Sequence, residues 1–278
     1  MTRRTLLCAG IVCVEAAMAQ TAPPPPEAWT LTLPGFNNAA IAYRSIGVGR
    51  PVLMLHGLLS SASNNWIAPG IAERIAGLGR RVVLPDFRAH GRSSAPTSAS
   101  DYPQDVLARD TQAVIAELDL QEFDLVGYSM GAQIAVRLLA SGARPGRVAL
   151  GGMGYSGIVQ GAPRRALFED AILNGEAAAD PRLGRIVQNA VARSHIDPLA
   201  VLGVLRSQVD TPSEVLATLS LPTLIVSGDQ DQDNGSAEDL AVALPNAQVV
   251  RVPGDHLSAV SDPAFAAALV AFLAADGN

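Results

Sequence analysis

The sequence predicts one α/β domain built around a mostly parallel sheet. Continuous apolar runs, typical of strands buried on both faces, alternate along the chain with segments of helical periodicity. Of the 278 residues, 49% are hydrophobic, which is enough to form a substantial core and excludes a largely disordered chain. Polar loops follow several apolar runs directly. We expect functional side chains in these loops, because ligands collect at the carboxyl ends of parallel strands.

The first 27 residues are predicted to precede the folded domain. An apolar stretch over 6–14 follows two arginines and precedes a small-x-small pattern that ends at Ala19, which predicts a signal peptide over 1–19. We therefore expect cleavage after Ala19 and a periplasmic or secreted protein; the alternative is an ordinary N-terminal helix of a cytoplasmic protein. The stretch is too short to span a bilayer, so no stable membrane anchor is expected. Residues 20–27 include four consecutive prolines and predict an extended linker before a domain over 28–278.

The domain opens with a segment over 29–33 that alternates apolar and polar side chains and predicts a half-buried strand, and a second strand is predicted over 40–45. The next apolar run, 52–55, is continuous and predicts a strand buried on both faces. A helix over 66–78 and a strand over 81–86 follow. From this point strand and helix alternate, which predicts a parallel sheet with right-handed crossovers.

The alternation continues to the end of the chain, with one interruption. Residues from about 155 to 219 contain several helix starts and no strand-like run, and they predict a helical lid over the edge of the sheet. The remaining predicted strands are 123–126, 148–150, 222–228 and 248–252, and the remaining predicted helices are 104–118, 237–243 and 262–274.

A Gly-x-Ser-x-Gly sequence over 127–131 lies between a predicted strand and a predicted helix. Such a turn forces Ser129 into a strained conformation that exposes its hydroxyl above the sheet edge, next to an electropositive helix N-terminus. A serine hydroxyl needs a base to act as a nucleophile at neutral pH, and His256, which follows a predicted strand, is the candidate. An acidic cluster follows another strand, so the chain order is Ser, Asp, His.

Five motifs occur in the order found in the α/β-hydrolase fold superfamily, which the sequence resembles over about residues 49–275. They are Leu55-His56-Gly57, Asp86-Phe87-Arg88-Ala89-His90-Gly91-Arg92-Ser93, Gly127-Tyr128-Ser129-Met130-Gly131, Gly228-Asp229-Gln230-Asp231 and Gly254-Asp255-His256. The sequence is similar to the small lid-bearing esterase, enol-lactonase and carbon-carbon hydrolase branches, and it departs from many members at Ala89, where they have glycine. The resemblance implies an eight-stranded-type, mostly parallel sheet flanked by helices, with a small helical lid.

The resemblance also implies roles for other residues. It places the acid that orients the catalytic histidine at Asp231, with Asp229 and Asp233 as alternatives. It places the two oxyanion donors on the backbone N–H groups of Leu58 and Met130.

Candidates for the substrate pocket are His56, Trp66, Met153 and Tyr155. His56 is interpreted chiefly as shaping the oxyanion turn, and the alternative for the other three is ordinary core packing. His195, in the predicted lid, is a further candidate for substrate contact, with a surface or capping role as the alternative.

Composition excludes several function classes. A net charge of −6 with no basic run argues against nucleic-acid binding. The chain contains no lysine, and its two cysteines, Cys8 and Cys13, lie in the predicted signal peptide, so lysine and cysteine nucleophiles are excluded from the mature domain. The four histidines are dispersed along the chain, and we expect neither a metal site nor a cofactor.

Together these features predict a serine hydrolase that cleaves a small-molecule carboxylic ester or lactone through an acyl-serine intermediate. The alternatives are a carbon-carbon bond hydrolase or a perhydrolase of the same fold, and a weakly hydrolytic receptor that senses a ligand. Turnover separates the last alternative from an enzyme, because a sensor needs little more than one turnover. No sequence feature specifies an oligomeric state.

Overall fold

An eight-stranded sheet forms the centre of the computed structural model, which describes residues 31–194 and 196–275. The predicted signal peptide, its cleavage site, the linker and His195 lie outside these residues. The strands are β1 (Leu31–Pro34), β2 (Ala40–Ile46), β3 (Pro51–Leu55), β4 (Arg81–Pro85), β5 (Asp124–Tyr128), β6 (Val148–Gly151), β7 (Thr223–Gly228) and β8 (Ala247–Val252). The helices are α1 (Ile71–Ala76), α2 (Val106–Glu117), α3 (Met130–Ala140), α4 (Tyr155–Val159), α5 (Ala162–Asn174), α6 (Pro181–Ser194), α7 (Pro198–Ser207), α8 (Ser213–Leu216), α9 (Ala237–Ala243) and α10 (Pro263–Ala274).

The strand order is β1-β2-β4-β3-β5-β6-β7-β8. β2 pairs antiparallel with β1 and β4, and all other neighbours are parallel. The predicted α/β class with a mostly parallel sheet is therefore confirmed. Because β5, β7 and β8 run in the same direction, the loops after them open at one edge of the sheet, where functional groups collect in open α/β folds.

The two faces of the sheet explain the continuous apolar runs. In β3, Leu53 and Leu55 pack into one buried cluster, whereas Val52 and Met54 pack into the cluster on the opposite face. Successive side chains of a strand point to opposite faces, so a strand covered by helices on both sides must be apolar at every position.

Helices α4 to α8, residues 155–216, lie between β6 and β7 and are called the helical insertion below. Two of its helices begin at the Asp-Pro pairs that mark helix starts in the sequence. Asp180 accepts hydrogen bonds from the backbone N–H groups of Arg182 and Leu183, both at 3.0 Å, and Asp197 accepts one from Leu199 at 2.8 Å. These aspartates satisfy N–H groups that have no partner inside the helix.

The helix predicted over 66–78 is wrong in its extent. A π-helical turn covers Ser63–Ile67, and α1 begins only at Ile71, because Gly70 between them has a left-handed backbone with φ of 72°. Glycine adopts this conformation at little cost, and it interrupts the helix. No helix in the described ranges is long and apolar enough to cross a membrane.

A buried ion pair ties the loop after β4 to α2. Arg88 donates two hydrogen bonds to Asp110, at 2.9 and 2.8 Å, and both side chains are at most 3% exposed. Arg88 also donates to the carbonyl oxygens of Phe36 and Asp101, so its guanidinium is bound on several sides. Removing one member of such a pair leaves the other charge buried without compensation.

We therefore expect Asp110→Ala to lower the free energy of unfolding by about 3 to 5 kcal/mol. As a control, Arg185→Ala breaks a pair with Glu176 in which both side chains are more than half exposed, and it should cost no more than about 1 kcal/mol. Urea unfolding at pH 7 measures both values. Equal losses in the two variants would contradict the role given to the buried pair.

Candidate active site

The turn between β5 and α3 holds Ser129 in a left-handed conformation, with φ of 53° and ψ of −117°. The close approach of neighbouring backbone explains the two glycines that flank it. A Cβ on Gly127 would overlap the carbonyl of Gly131, and a Cβ on Gly131 would overlap the carbonyl of Leu55. The Ser129 N–H donates to the carbonyl of Gly151 on β6 at 2.8 Å, which fixes the turn to the next strand.

A chain of hydrogen bonds leads from Ser129 to the loops after β7 and β8. Ser129 Oγ lies 2.9 Å from Nε2 of His256, and Nδ1 of His256 lies 2.9 Å from Oδ2 of Asp231. Burial by itself would raise the pKa of Asp231, but the hydrogen bond and charge of His256 and the N–H of Asp233 outweigh it and lower the pKa below its usual value. An ionised carboxylate only accepts, so Nδ1 of His256 carries the proton and Nε2 is free to accept the Ser129 hydroxyl proton.

Of the three candidate acids, only Asp231 makes a hydrogen bond to His256. Asp229 accepts a hydrogen bond from the Gly254 N–H at 3.0 Å, and Asp233 pairs with Arg164 at 2.8 Å. Donor atoms of Asp231, Asp233 and His256 lie within 4.8 Å of one another, a spacing that could hold a metal ion. A metal there would have to replace the hydrogen bonds that these groups already make.

Two backbone N–H groups near Ser129 have no hydrogen-bond partner within the part of the chain that the structure describes, those of Leu58 and Met130. Met130 is the first residue of α3, where N–H groups have no partner inside the helix. The loop after β3 passes close to Ser129, since a Cβ on Gly57 would lie 3.4 Å from the Ser129 Cβ. The arrangement leaves both donors free to bind a negatively charged oxygen.

Asn65 fixes the loop after β3, and the sequence did not single it out. Its Oδ1 accepts a hydrogen bond from the Gly57 N–H at 2.8 Å, and the side chain is 6% exposed. Asn65 lies in the π-helical turn, a distortion found frequently at functional sites. Asn65 is identified only by its contact with Gly57 in the folded structure, because no motif around Asn65 in the sequence indicates that contact.

Tyr128 is a second residue for which the sequence analysis predicted no role. Its hydroxyl donates to the carbonyl oxygen of His256 at 2.6 Å, which holds the backbone of the histidine loop. Burial, followed by the charges of Asp231 and Asp255, raises the pKa of Tyr128, so this hydroxyl stays a donor.

The buried side chains of His56 and His90 make hydrogen bonds to the backbone of the loops after β3 and β4. Nε2 of His56 accepts from the Phe87 N–H at 3.0 Å, and Nε2 of His90 accepts from the Leu59 N–H at 3.1 Å. Each Nδ1 therefore donates to a backbone carbonyl, that of Gly57 or Arg88. Burial lowers the pKa of His56 to about 4, partly offset by its bond to Gly57, and burial together with the neighbouring His56 lowers that of His90 to about 3.

A cavity of about 380 Å³ opens over Ser129 and His256. Helices α5, α6 and α7 of the helical insertion form one side of it and contribute an apolar surface. The residues of that surface are Phe168, Leu183, Ile186, Val187, Ala190 and Leu205.

Of the four predicted pocket residues, Met153 lines this cavity and the other three do not. His56 is fully buried, and its Nδ1 bonds to the Gly57 carbonyl in the loop after β3. Trp66 is fully buried in the core that contains residues of α1 and α10, and Tyr155 packs against the core on the opposite face of the sheet. Core packing is thus the correct interpretation of Trp66 and Tyr155.

Comparisons with known proteins all indicate the same fold, the alpha/beta hydrolase fold. A family model described as the alpha/beta hydrolase fold matches residues 50–149. The chain is 28% identical over 250 residues to a non-heme haloperoxidase of Rhodococcus erythropolis, which covers 77% of this chain and 88% of that protein. An esterase from Exiguobacterium antarcticum is similar in structure, with a TM-score of 0.72 and 22% identity over 88% of this chain and 99% of its own. The enol-lactonase from Burkholderia xenovorans LB400 has a TM-score of 0.67 and 24% identity, over 87% and 99% of the two chains.

The buried histidines predict a pH dependence of stability. An unfolded chain protonates a histidine near the usual pKa of 6.5, whereas the folded chain keeps His90 neutral down to about pH 3, so the free energy of unfolding falls as pH drops below 6.5. From pH 7 to pH 5 His90 alone should cost about 2 kcal/mol.

The test compares urea unfolding of the wild type and His90→Gln at pH 7 and pH 5. The loss on acidification should be about 2 kcal/mol smaller in the variant, whatever its stability at pH 7. All other titrating groups, including Asp86, whose pKa is raised by burial and which acts in the opposite direction, are common to both proteins. The same loss in both would contradict a neutral, buried His90.

Proposed function

We propose that this chain, which belongs to the α/β-hydrolase fold superfamily, is a serine hydrolase that cleaves a carboxylic ester or lactone through an acyl-serine intermediate. The observation that carries the proposal is the continuous chain of 2.9 Å hydrogen bonds from Ser129 through His256 to Asp231. Nucleophile, base and orienting acid are thus within reach of one another and open to a cavity.

In the first half of the reaction, Nε2 of His256 takes the proton of the Ser129 hydroxyl as Oγ attacks the substrate carbonyl carbon. The carbonyl oxygen becomes an oxyanion and accepts hydrogen bonds from the N–H groups of Leu58 and Met130. His256 then gives its proton to the leaving alkoxide oxygen as the carbon-oxygen bond breaks. An ester releases a separate alcohol, whereas the hydroxyl freed from a lactone stays on the acyl group, and in both cases the acyl group is bound to Ser129.

In the second half, water replaces the alcohol. His256 takes one proton from the water as its oxygen attacks the acyl carbon, and the oxyanion again binds the two N–H groups. Collapse releases the acid and returns the proton through His256 to Ser129. Asp231 stays ionised throughout, holds the histidine in the required tautomer and stabilises the imidazolium.

Likeness to a non-heme haloperoxidase favours a second candidate, a perhydrolase. Hydrogen peroxide would then attack the acyl-serine in place of water and release a peracid by the same proton transfers. Both functions pass through the acyl-serine, so comparing the products formed with and without added hydrogen peroxide tests which molecule attacks the acyl-serine and does not test the assignment of Ser129.

Ser129→Ala should lower ester turnover at least about 10³-fold, because the nucleophile is lost, and should leave the fold intact. Hydrolysis of chromogenic esters with acyl chains of two to twelve carbons measures the rates. Ser141→Ala, at the other end of α3, is the control, because this exposed hydroxyl only donates to the Arg137 carbonyl. Retained activity in Ser129→Ala would remove the nucleophile assignment, and single turnover by the wild type would favour the ligand-sensing alternative.

Asn65 acts as a positioning residue in this reaction. Asn65→Ala leaves the Gly57 N–H without its acceptor, so the Leu58 donor is held less firmly and kcat should fall about 10- to 100-fold with KM little changed. Ser63→Ala, in the same turn but lining neither cavity described here, should leave kcat unchanged. A rise in KM with unchanged kcat would instead indicate a substrate-binding role.

A further inference from the structure

A second cavity of about 430 Å³ adjoins the one over Ser129. Its described lining residues are Leu59, Ser60, Ser61, Asn64, Gly91, Ala190, Arg193 and Ser194. Both cavities are lined by Leu59, Ser60, Asn64, Ala190 and Arg193, so they adjoin along these residues. The second cavity, called the extension below, therefore lies beside the cavity over Ser129 and is not itself lined by Ser129 or His256.

The described lining of this extension carries positive charge and no negative charge. Its described lining contains the Arg193 guanidinium, the hydroxyls of three serines and the amide of Asn64, but no carboxylate. Guanidinium, hydroxyl and amide N–H groups all donate hydrogen bonds. The hydroxyls and the amide oxygen can also accept, but Arg193 is the one charged side chain in this described lining, so the cavity favours an anion over a cation.

Arg193 differs in its pairing from the other arginines of the catalytic cavity. Arg164 is paired with Asp233 at 2.8 Å and Arg165 with Asp210 at 2.6 Å. Among the described residues Arg193 makes neither an ion pair nor a hydrogen bond. Its charge is thus available to a ligand.

This positive site stands out because the chain as a whole carries a net charge of −6. Arg193 itself is exposed, so its charge acts on an anionic group chiefly at short range, where a direct ion pair can form. An arginine also binds a carboxylate through two parallel hydrogen bonds, which fixes the orientation of the bound group.

We propose that this extension, the arginine subsite, binds a carboxylate that the substrate carries away from its scissile bond. The inference rests on the proposed hydrolase function and narrows its substrate class. The apolar surface of the helical insertion contacts the body of the substrate, and Arg193 binds the carboxylate, with the serine hydroxyls and Asn64 as further donors. The substrate class is an ester or lactone with an apolar body and a second, free carboxylate.

The kinetic test uses a matched substrate pair, the 4-nitrophenyl half-ester of adipic acid and the same ester with its free carboxylate capped as a methyl ester. The wild type should prefer the free carboxylate, expressed as the ratio of the two kcat/KM values. Arg193→Gln should lower this ratio at least about tenfold, chiefly through KM for the charged ester. Arg193→Lys, which keeps the charge and loses the fork geometry, should fall between.

Arg182→Gln is the matched control, because Arg182, like Arg193, is an exposed arginine of α6, but it lines neither cavity. Its ratio should equal that of the wild type. An equal fall in Arg182→Gln would assign the preference to the general field of the protein, and a wild type with no preference for the charged ester would overturn the arginine subsite. Loss of both substrates together in Arg193→Gln would also overturn it, since that pattern indicates damage to the helical insertion.

A binding measurement separates this proposal from the proposed function. In the Ser129→Ala protein, calorimetric titration should show tighter binding of monomethyl adipate than of dimethyl adipate, and the added change Arg193→Gln should abolish the difference. If the wild type hydrolyses neutral esters through Ser129 but this difference is missing, only the subsite is wrong. If a phosphonate probe fails to label Ser129 in the wild type, the proposed function is wrong, and the titration still decides whether the subsite binds a carboxylate.

Discussion

The left-handed backbone at Ser129 is the constraint on which the rest of the site depends. A residue with φ of 53° turns the chain so sharply that α3 begins directly above the end of β5. That turn is compatible only with glycine at 127 and 131, because each lies against a backbone carbonyl. The strained conformation is held by the sheet, since the Ser129 N–H is bound to β6 and Gly131 packs on the end of β3.

The loop after β3, which faces Ser129, is held by hydrogen bonds with buried side chains. Asn65 and the neutral imidazoles of His56 and His90 bind backbone groups of residues 57–59 and 87–88, so that loop has few degrees of freedom left. Water could also satisfy such polar groups, but buried side chains hold them in one geometry. A pre-organised donor costs no reorganisation when charge develops on the substrate oxygen, and this gives a physical reason to bury two histidines that do not exchange protons.

The sequence predicted the sheet and the meeting of Ser129, Asp231 and His256, because strand periodicity and chain order are local signals and parallel strands bring their ends together. It did not separate Asp231 from its neighbours on physical grounds. It also assigned Trp66 and Tyr155 to the pocket, although large apolar side chains look the same in a sequence whether they line a cavity or fill a core. The sequence did not single out Asn65, because its hydrogen bond to the Gly57 N–H forms only in the folded structure.

The loop after β7, which carries Asp231, is bound to the start of the helical insertion. Asn234, three residues after Asp231, donates to the Gly152 carbonyl at 2.9 Å, and its own carbonyl accepts from Gly157 at 2.9 Å and from the Ser156 hydroxyl at 3.1 Å. The first helix of the insertion is thus bound to the acid loop by buried polar contacts. By contrast, the Arg164 pair with Asp233 is partly exposed and contributes at most about 1 kcal/mol. The start of the helical insertion is therefore joined to the loop after β7 through Asn234, whereas α5 is joined to that loop at Asp233 only by a partly exposed ion pair.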